Sequence, residues 1–143
     1  KLLLAGIRWL FAIGESDMAL TNAGAIELAK LAIADSGTAI NNTNAYLGVG
    51  DSSTAFSAAH TDLQAASNKS RKGMEATYPQ RSSGALTFRS LWGTSEGNHA
   101  WAEWGVFNAA SSGVMWSRKV EALGTKTSSQ SWQLTATCTL AAA

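Results

Sequence analysis

The residues of this chain that could do chemistry are few and scattered. Histidine occurs at positions 60 and 99, and Asp51, Asp62, Glu96 and Glu103 could join them as nitrogen and oxygen ligands of a metal ion. No two of these stand at a helical spacing that makes a recognisable ligand pair, and both histidines fall in loop-like or strand-entry stretches. Solvated or locally hydrogen-bonded imidazoles are therefore expected. A glycosidase needs two carboxylates facing each other across a cleft, and Glu96 and Glu103 qualify only as any two acids would. GVGDSS (48–53) opens like a dinucleotide fingerprint with Gly48 and Gly50. The third glycine is absent, no helix clearly follows and no parallel βαβ pattern surrounds it, so a turn is expected. No G-x-S-x-G nucleophile elbow occurs. Cys138 is the one cysteine, which excludes an intramolecular disulfide and a cysteine metal cluster. In its apolar run it reads as a small buried hydrophobe. The expectation is a chain that is not an enzyme, with no catalytic residue, no cofactor and no metal.

Two further groups of residues suggest contact rather than catalysis. NKSRKG (68–73) carries Lys69, Arg71 and Lys72. On a strand, Lys69 and Arg71 share one face, where they can keep an edge strand from unwanted pairing or meet an acidic partner. Three charges without interleaved aromatics make a poor phosphate-binding patch. The second group is WAEWGVFNAASSGVMW (101–116), with Trp101, Trp104 and Trp116 drawn from six tryptophans in the chain. Trp101 and Trp104 differ by an odd number of residues, so a regular strand turns them to opposite faces unless a bulge intervenes. A sugar platform needs coplanar exposed rings, and this spacing does not supply them. The rings read as core or subunit interface.

The elements that must position these residues follow from periodicity. LTNAGAIELAKLAIADSG (20–37) reads as a helix over 21–36, capped by Thr21 or Asn22 and stopped by Gly37. Ile26, Ala29 and Ile33, flanked by Ala25, Leu28 and Ala32, make its apolar stripe, with Glu27 and Lys30 toward solvent. AYLGVG (45–50) is a short strand, and TDLQAA (61–66) could form one helical turn. From Lys69 onward the period falls to two. ALTFRSLW (85–92) puts Leu86, Phe88 and Trp92 on one face with Ser90 among them. WAEWGVF (101–107) is apolar on both faces, and VMWSRKVE (114–121) follows it through a hairpin with Gly113 available for positive φ. In SWQLTATCTL (131–140), Trp132, Leu134, Ala136, Cys138 and Leu140 alternate with Ser, Gln and Thr. That is a half-buried antiparallel strand.

The predicted fold is mainly β, an antiparallel β-sandwich or small barrel with one N-terminal helix and an apolar N-terminal arm. The 143 residues, 45% hydrophobic and 15% charged with a formal net charge of +1, are enough for one domain with a sizeable core. The near-neutral balance gives no general field for nucleic acid or an anionic membrane. An arm over 1–17 precedes a single domain over 18–143. Its segment KLLLAGIRWLFAI (1–13) is too short to span a bilayer and has Arg8 inside it, which also argues against a signal-peptide core. Leu2, Leu3, Leu4, Ile7, Trp9, Leu10 and Phe11 are candidates to bury against a partner surface or a sister subunit, as Lys69, Arg71, Lys72, Trp101 and Trp104 are for further contacts.

Over roughly residues 18 to 140 the chain resembles a group of small virion proteins of tailed bacteriophages. The likeness rests on the order of short motifs: the leading helix, Leu47 to Gly50, Thr61 to Leu63 before a basic strand, Glu103 to Phe107, Gly113 to Arg118, and Lys126 to Thr137. The resemblance implies a virion structural protein of head-decoration, minor-tail or tail-fibre type. It implies no cofactor and no catalytic residues. Absence of a shaft or repeat favours a capsid decoration (cement) protein, made in the host cytoplasm and placed on the outer capsid surface, over a tail fibre or collar component. Its expected partners are the major capsid protein and itself, as a homo-oligomer that analogy makes a trimer. No nucleic acid, membrane or small-molecule ligand is expected. A carbohydrate-binding module, suggested by the tryptophans, is the reading from another class.

Overall fold

The computed structural model describes residues 11–13 and 16–139. Among them are nine strands and one helix: β1 (Phe11–Ile13), β2 (Ser16–Leu20), α1 (Asn22–Ala32), β3 (Tyr46–Gly50), β4 (Lys69–Gly73), β5 (Gln80–Ser82), β6 (Ala85–Trp92), β7 (Ala100–Phe107), β8 (Met115–Thr125) and β9 (Trp132–Thr139). A six-stranded sheet runs in the order β1-β2-β8-β7-β3-β4, and a three-stranded sheet in the order β5-β6-β9. Each pairing is antiparallel. The two ladders stay separate, so the sandwich of the two expected architectures is the one that forms. No helix among the described residues is long and apolar enough to cross a membrane.

Alternation decides which side chains fill the sandwich. Leu47 and Val49 from β3, Phe88 and Trp92 from β6, Trp104 and Val106 from β7, Trp116 from β8, and Ala136 and Cys138 from β9 form the core between the sheets. The β6–β9 ladder sets Trp92 against Trp132, Ser90 against Leu134, Phe88 against Ala136 and Leu86 against Cys138. The period-two reading of both strands thus matches the observed faces. Ser90 is tolerated in the core because its hydroxyl donates to the Lys72 carbonyl at 3.1 Å.

The β7–β8 hairpin is irregular in the way the tryptophan spacing requires. Its register shifts between Trp101 and Glu103 and again between Val106 and Phe107. The first bulge returns Trp101 to the face of Trp104, so both rings enter the same core. Gly113 takes φ +64° in the hairpin connection, and Ser112 beside it φ +52°.

Residues 11–13 and 16–18 pair as β1 and β2, and Ala19 and Leu20 of β2 pair with β8. Two expectations need correction. The segment 61–66 makes no helical turn; its backbone is held by side chains of the sheet instead. The helix is rotated from the face its apolar residues suggest. Gly24 and Glu27 are buried, while Ile26 is 59% and Ile33 77% exposed. Thr21 does cap α1, its hydroxyl accepting from the Gly24 amide at 2.9 Å. The helix stops at Ala32, with positive φ at Ala34 and Ser36 rather than at Gly37. Gly37 is needed instead for its close approach to Leu31.

Candidate functional site

β7 is buried on both faces because residues 51–68 lie over the outer side of the large sheet. On that side Leu63 packs with Phe107 and Met115, with Tyr46 against them. The polar centre of this layer is Glu103 on β7 and Arg118 on β8, both fully buried. Arg118 Nε donates to Glu103 Oε2 at 2.5 Å. The carboxylate also accepts the Ala65 amide at 2.7 Å and the Gln64 amide at 3.0 Å. Arg118 Nη2 reaches the Thr54 carbonyl at 2.8 Å, and Nη1 lies 3.5 Å from His60 Nδ1. The pair therefore fastens both ends of the covering segment to the sheet. Buried charges persist only when paired and hydrogen-bonded like this.

The glycines of GVGDSS belong to this centre. A Cβ at Gly48 would fall 2.6 Å from the Phe107 ring, and one at Gly50 would fall 2.6 Å from Glu103 Oε1. Close approach, not phosphate binding, explains both. The same layer continues to the edge strand β4. Lys69 Nζ and Arg71 Nη2 both contact Asp62, at 2.8 and 3.0 Å, so they share a face as expected. Arg71 also stacks on Phe107 at 3.6 Å and donates to the Ala109 and Ser112 carbonyls. Lys72 points the other way, to Glu96 at 2.6 Å. All three basic residues are thus engaged within the chain.

The tryptophan candidates are closed off from contact. Trp101 and Trp104 are each 2% exposed in a single chain, which removes both side chains as interface candidates. Trp101 packs edge-on against Trp92 and Trp132 at 4.9 and 5.1 Å. Its indole N–H donates to the Gly97 carbonyl, and that of Trp104 to Glu121. Trp116 is buried as well. Rings so placed cannot form a sugar platform. Leu2, Leu3, Leu4, Ile7, Trp9 and Leu10 lie outside the described residues, and of Phe11 only its place in β1 is described.

The chemical capacity of these groups is small. Glu103 is sealed and saturated, so it cannot face Glu96 across a cleft. His60 accepts the Ser57 amide, and His99 Nδ1 lies 2.8 Å from the Ala100 carbonyl. No group of three potential metal ligands gathers among the described residues. Burial pushes the Cys138 thiol up to about 12, leaving hardly any thiolate at neutral pH.

Sequence reasoning missed the pairing of Glu103 with Arg118. The signal was present: an acid in a strand apolar on both faces must find a cation, and the next strand supplies one. It also missed Glu27, which accepts the Thr38 amide at 2.5 Å and so ties the middle of α1 to the chain that follows it. The apolar row Ala25, Ile26, Ala29, Ala32 and Ile33, legible as a stripe in the sequence, faces outward and is exposed. Among known proteins, no family model, no curated protein and no solved structure matches this chain.

Proposed function

We propose that the chain is a structural protein of a tailed-bacteriophage virion, most specifically a capsid decoration protein that binds the assembled lattice and stabilises it. The observation that carries this reading is the exposed apolar row of α1, where Ile26 and Ile33 stand 59% and 77% open to solvent. A contiguous apolar row on an otherwise well-packed domain marks a protein contact. Support also comes from the motifs behind the resemblance. Leu47 to Gly50, Thr61 to Leu63, Glu103 to Phe107 and Gly113 to Arg118 converge on one buried clamp, which is an architectural role and not a catalytic one. Binding only to the assembled lattice adds the binding free energy to the stability of that lattice, and many copies per particle multiply the effect.

The test is a variant carrying Ile26→Ser and Ile33→Ser, added to particles that lack the protein. Unfolding temperature should stay close to wild type, because both side chains are already hydrated, while occupancy on the capsid falls at least tenfold. Full occupancy would overturn the reading. Copy number per virion separates the alternatives, since hundreds of copies mean decoration and a handful means a tail or collar component.

A further inference from the structure

A cavity of about 270 Å³ opens between the covering segment, the edge strand β4 and the β7–β8 connection. Its wall includes Asp62, Leu63, Lys69, Arg71, Ser111 and Ser112. Two cations share one carboxylate there, since Lys69 Nζ and Arg71 Nη2 each bond a different oxygen of Asp62. The wall therefore carries one positive charge in excess. Its hydrogen bonding is lopsided in the same sense. Each Asp62 oxygen already accepts from a cation, the Leu63 carbonyl accepts from Lys69 at 3.2 Å, and the Ser112 carbonyl accepts from Arg71 at 2.8 Å. Donors are left over. An ammonium has three N–H groups, and Lys69 uses two of them, on Asp62 and Leu63. Ser111 and Ser112 are exposed, and neither hydroxyl has an intramolecular partner among the described residues. Spare donors, occupied acceptors and one excess positive charge match a ligand group that accepts hydrogen bonds and carries a single negative charge.

The wall is already fixed in shape. Arg71 stacks on Phe107 at 3.6 Å, and its bonds to the Ala109 and Ser112 carbonyls hold the turn. Ser112 is kept at φ +52°, where non-glycine residues are rare. Two features choose among anions. Phosphate is best gripped by a free guanidinium fork, and here Arg71 commits its fork to two carbonyls and Asp62. The cavity is also smaller than the roughly 300–1,000 Å³ of ordinary small-molecule pockets, a size that suits one side chain carried by a partner. We propose that this cavity receives the carboxylate of an acidic side chain, Glu or Asp, from a protein partner. The carboxylate accepts from Lys69 Nζ and from the Ser111 and Ser112 hydroxyls, with Leu63 and Ala110 of the wall beside its methylenes. The site uses no residue of the α1 row, so it stands or falls apart from the function proposed above.

The experiment is a titration of the full chain with N-acetylglutamate N-methylamide, followed through backbone amide chemical shifts. Saturable shifts at residues 69, 111 and 112 are expected, with a dissociation constant that is roughly millimolar, as suits a single side chain. The glutamine analogue has the same shape without the charge and should leave those amides unmoved. Lys69→Met should weaken binding about tenfold or more, and the pair Ser111→Ala and Ser112→Ala should weaken it as well. Unchanged shifts elsewhere show that each variant is folded. A wild-type chain with no saturable shift overturns the proposal without reference to any variant, and so does equal binding of the glutamine analogue. Tighter binding of inorganic phosphate or glucuronate also overturns it, because the cavity would then serve a phosphate or a sugar acid.

Discussion

Glu103 shows how much one buried carboxylate can hold. It accepts the Arg118 guanidinium and the amides of Gln64 and Ala65 at once. Replacing it by Gln leaves Arg118 charged and buried without a counter-ion, a loss of about 3–5 kcal/mol. Urea unfolding of Glu103→Gln should show a loss of that size. A paired change to apolar residues often restores stability where an ion pair is isolated. Here Glu103→Leu with Arg118→Met should stay destabilised, because two backbone amides lose their acceptor at about 1–3 kcal/mol each. Recovery of wild-type stability in the double variant would show that the clamp on residues 51–68 contributes nothing.

At the scale of the element, α1 behaves against its own composition. A glycine inside a helix normally costs about 1 kcal/mol relative to alanine, so Gly24→Ala would ordinarily stabilise. In this fold a Cβ at 24 would collide with the backbone carbonyl of Trp116, and Thr21 hydrogen-bonds the Met115 carbonyl beside it. Gly24→Ala is therefore expected to lower the unfolding temperature, and an increase would refute this packing. The helix itself was legible through its Thr21 cap and its periodicity. Its orientation was not, because Glu27 is drawn inward by the Thr38 amide and Asn108 while Ile26 and Ile33 turn outward. The strands were read more securely. β9 and β6 have one face against the core and one outside, so their alternation is written directly in residue type. β7, covered on both sides, gave no alternation to read.

Across the whole molecule, surface and near-surface carboxylates pair with residues of the six-stranded sheet. Burial raises Asp62, but Lys69, Arg71 and the Leu63 amide outweigh it and hold the carboxyl below its usual value. The Lys72 hydrogen bond chiefly lowers Glu96, with the Gly93 amide next. For Glu121 burial again raises, and the Trp104 indole and Lys119 more than compensate. A carboxyl with a depressed folded value binds its proton more readily in the unfolded chain. Its stabilisation is thus complete above the ordinary value of about 4 and drains away as pH falls through the folded value. Stability measured by denaturant should be flat from pH 7 to about 5 and decline below about 4. Asp62→Asn should flatten part of that decline, and an unchanged acid profile would contradict the role given to Asp62.

Residue order by itself determined that this is a β-rich domain with a capped leading helix, a β7–β8 hairpin and a half-buried last strand. Those features depend on neighbours along the chain or on period-two alternation, which are local. Only the tertiary structure decided that a bulge brings Trp101 and Trp104 into one core, that Glu103 meets Arg118 beneath residues 51–68, and that α1 turns Ile26 and Ile33 outward. Each of these depends on how whole elements pack, where packing space and the need to satisfy buried charge outweigh what any short stretch prefers.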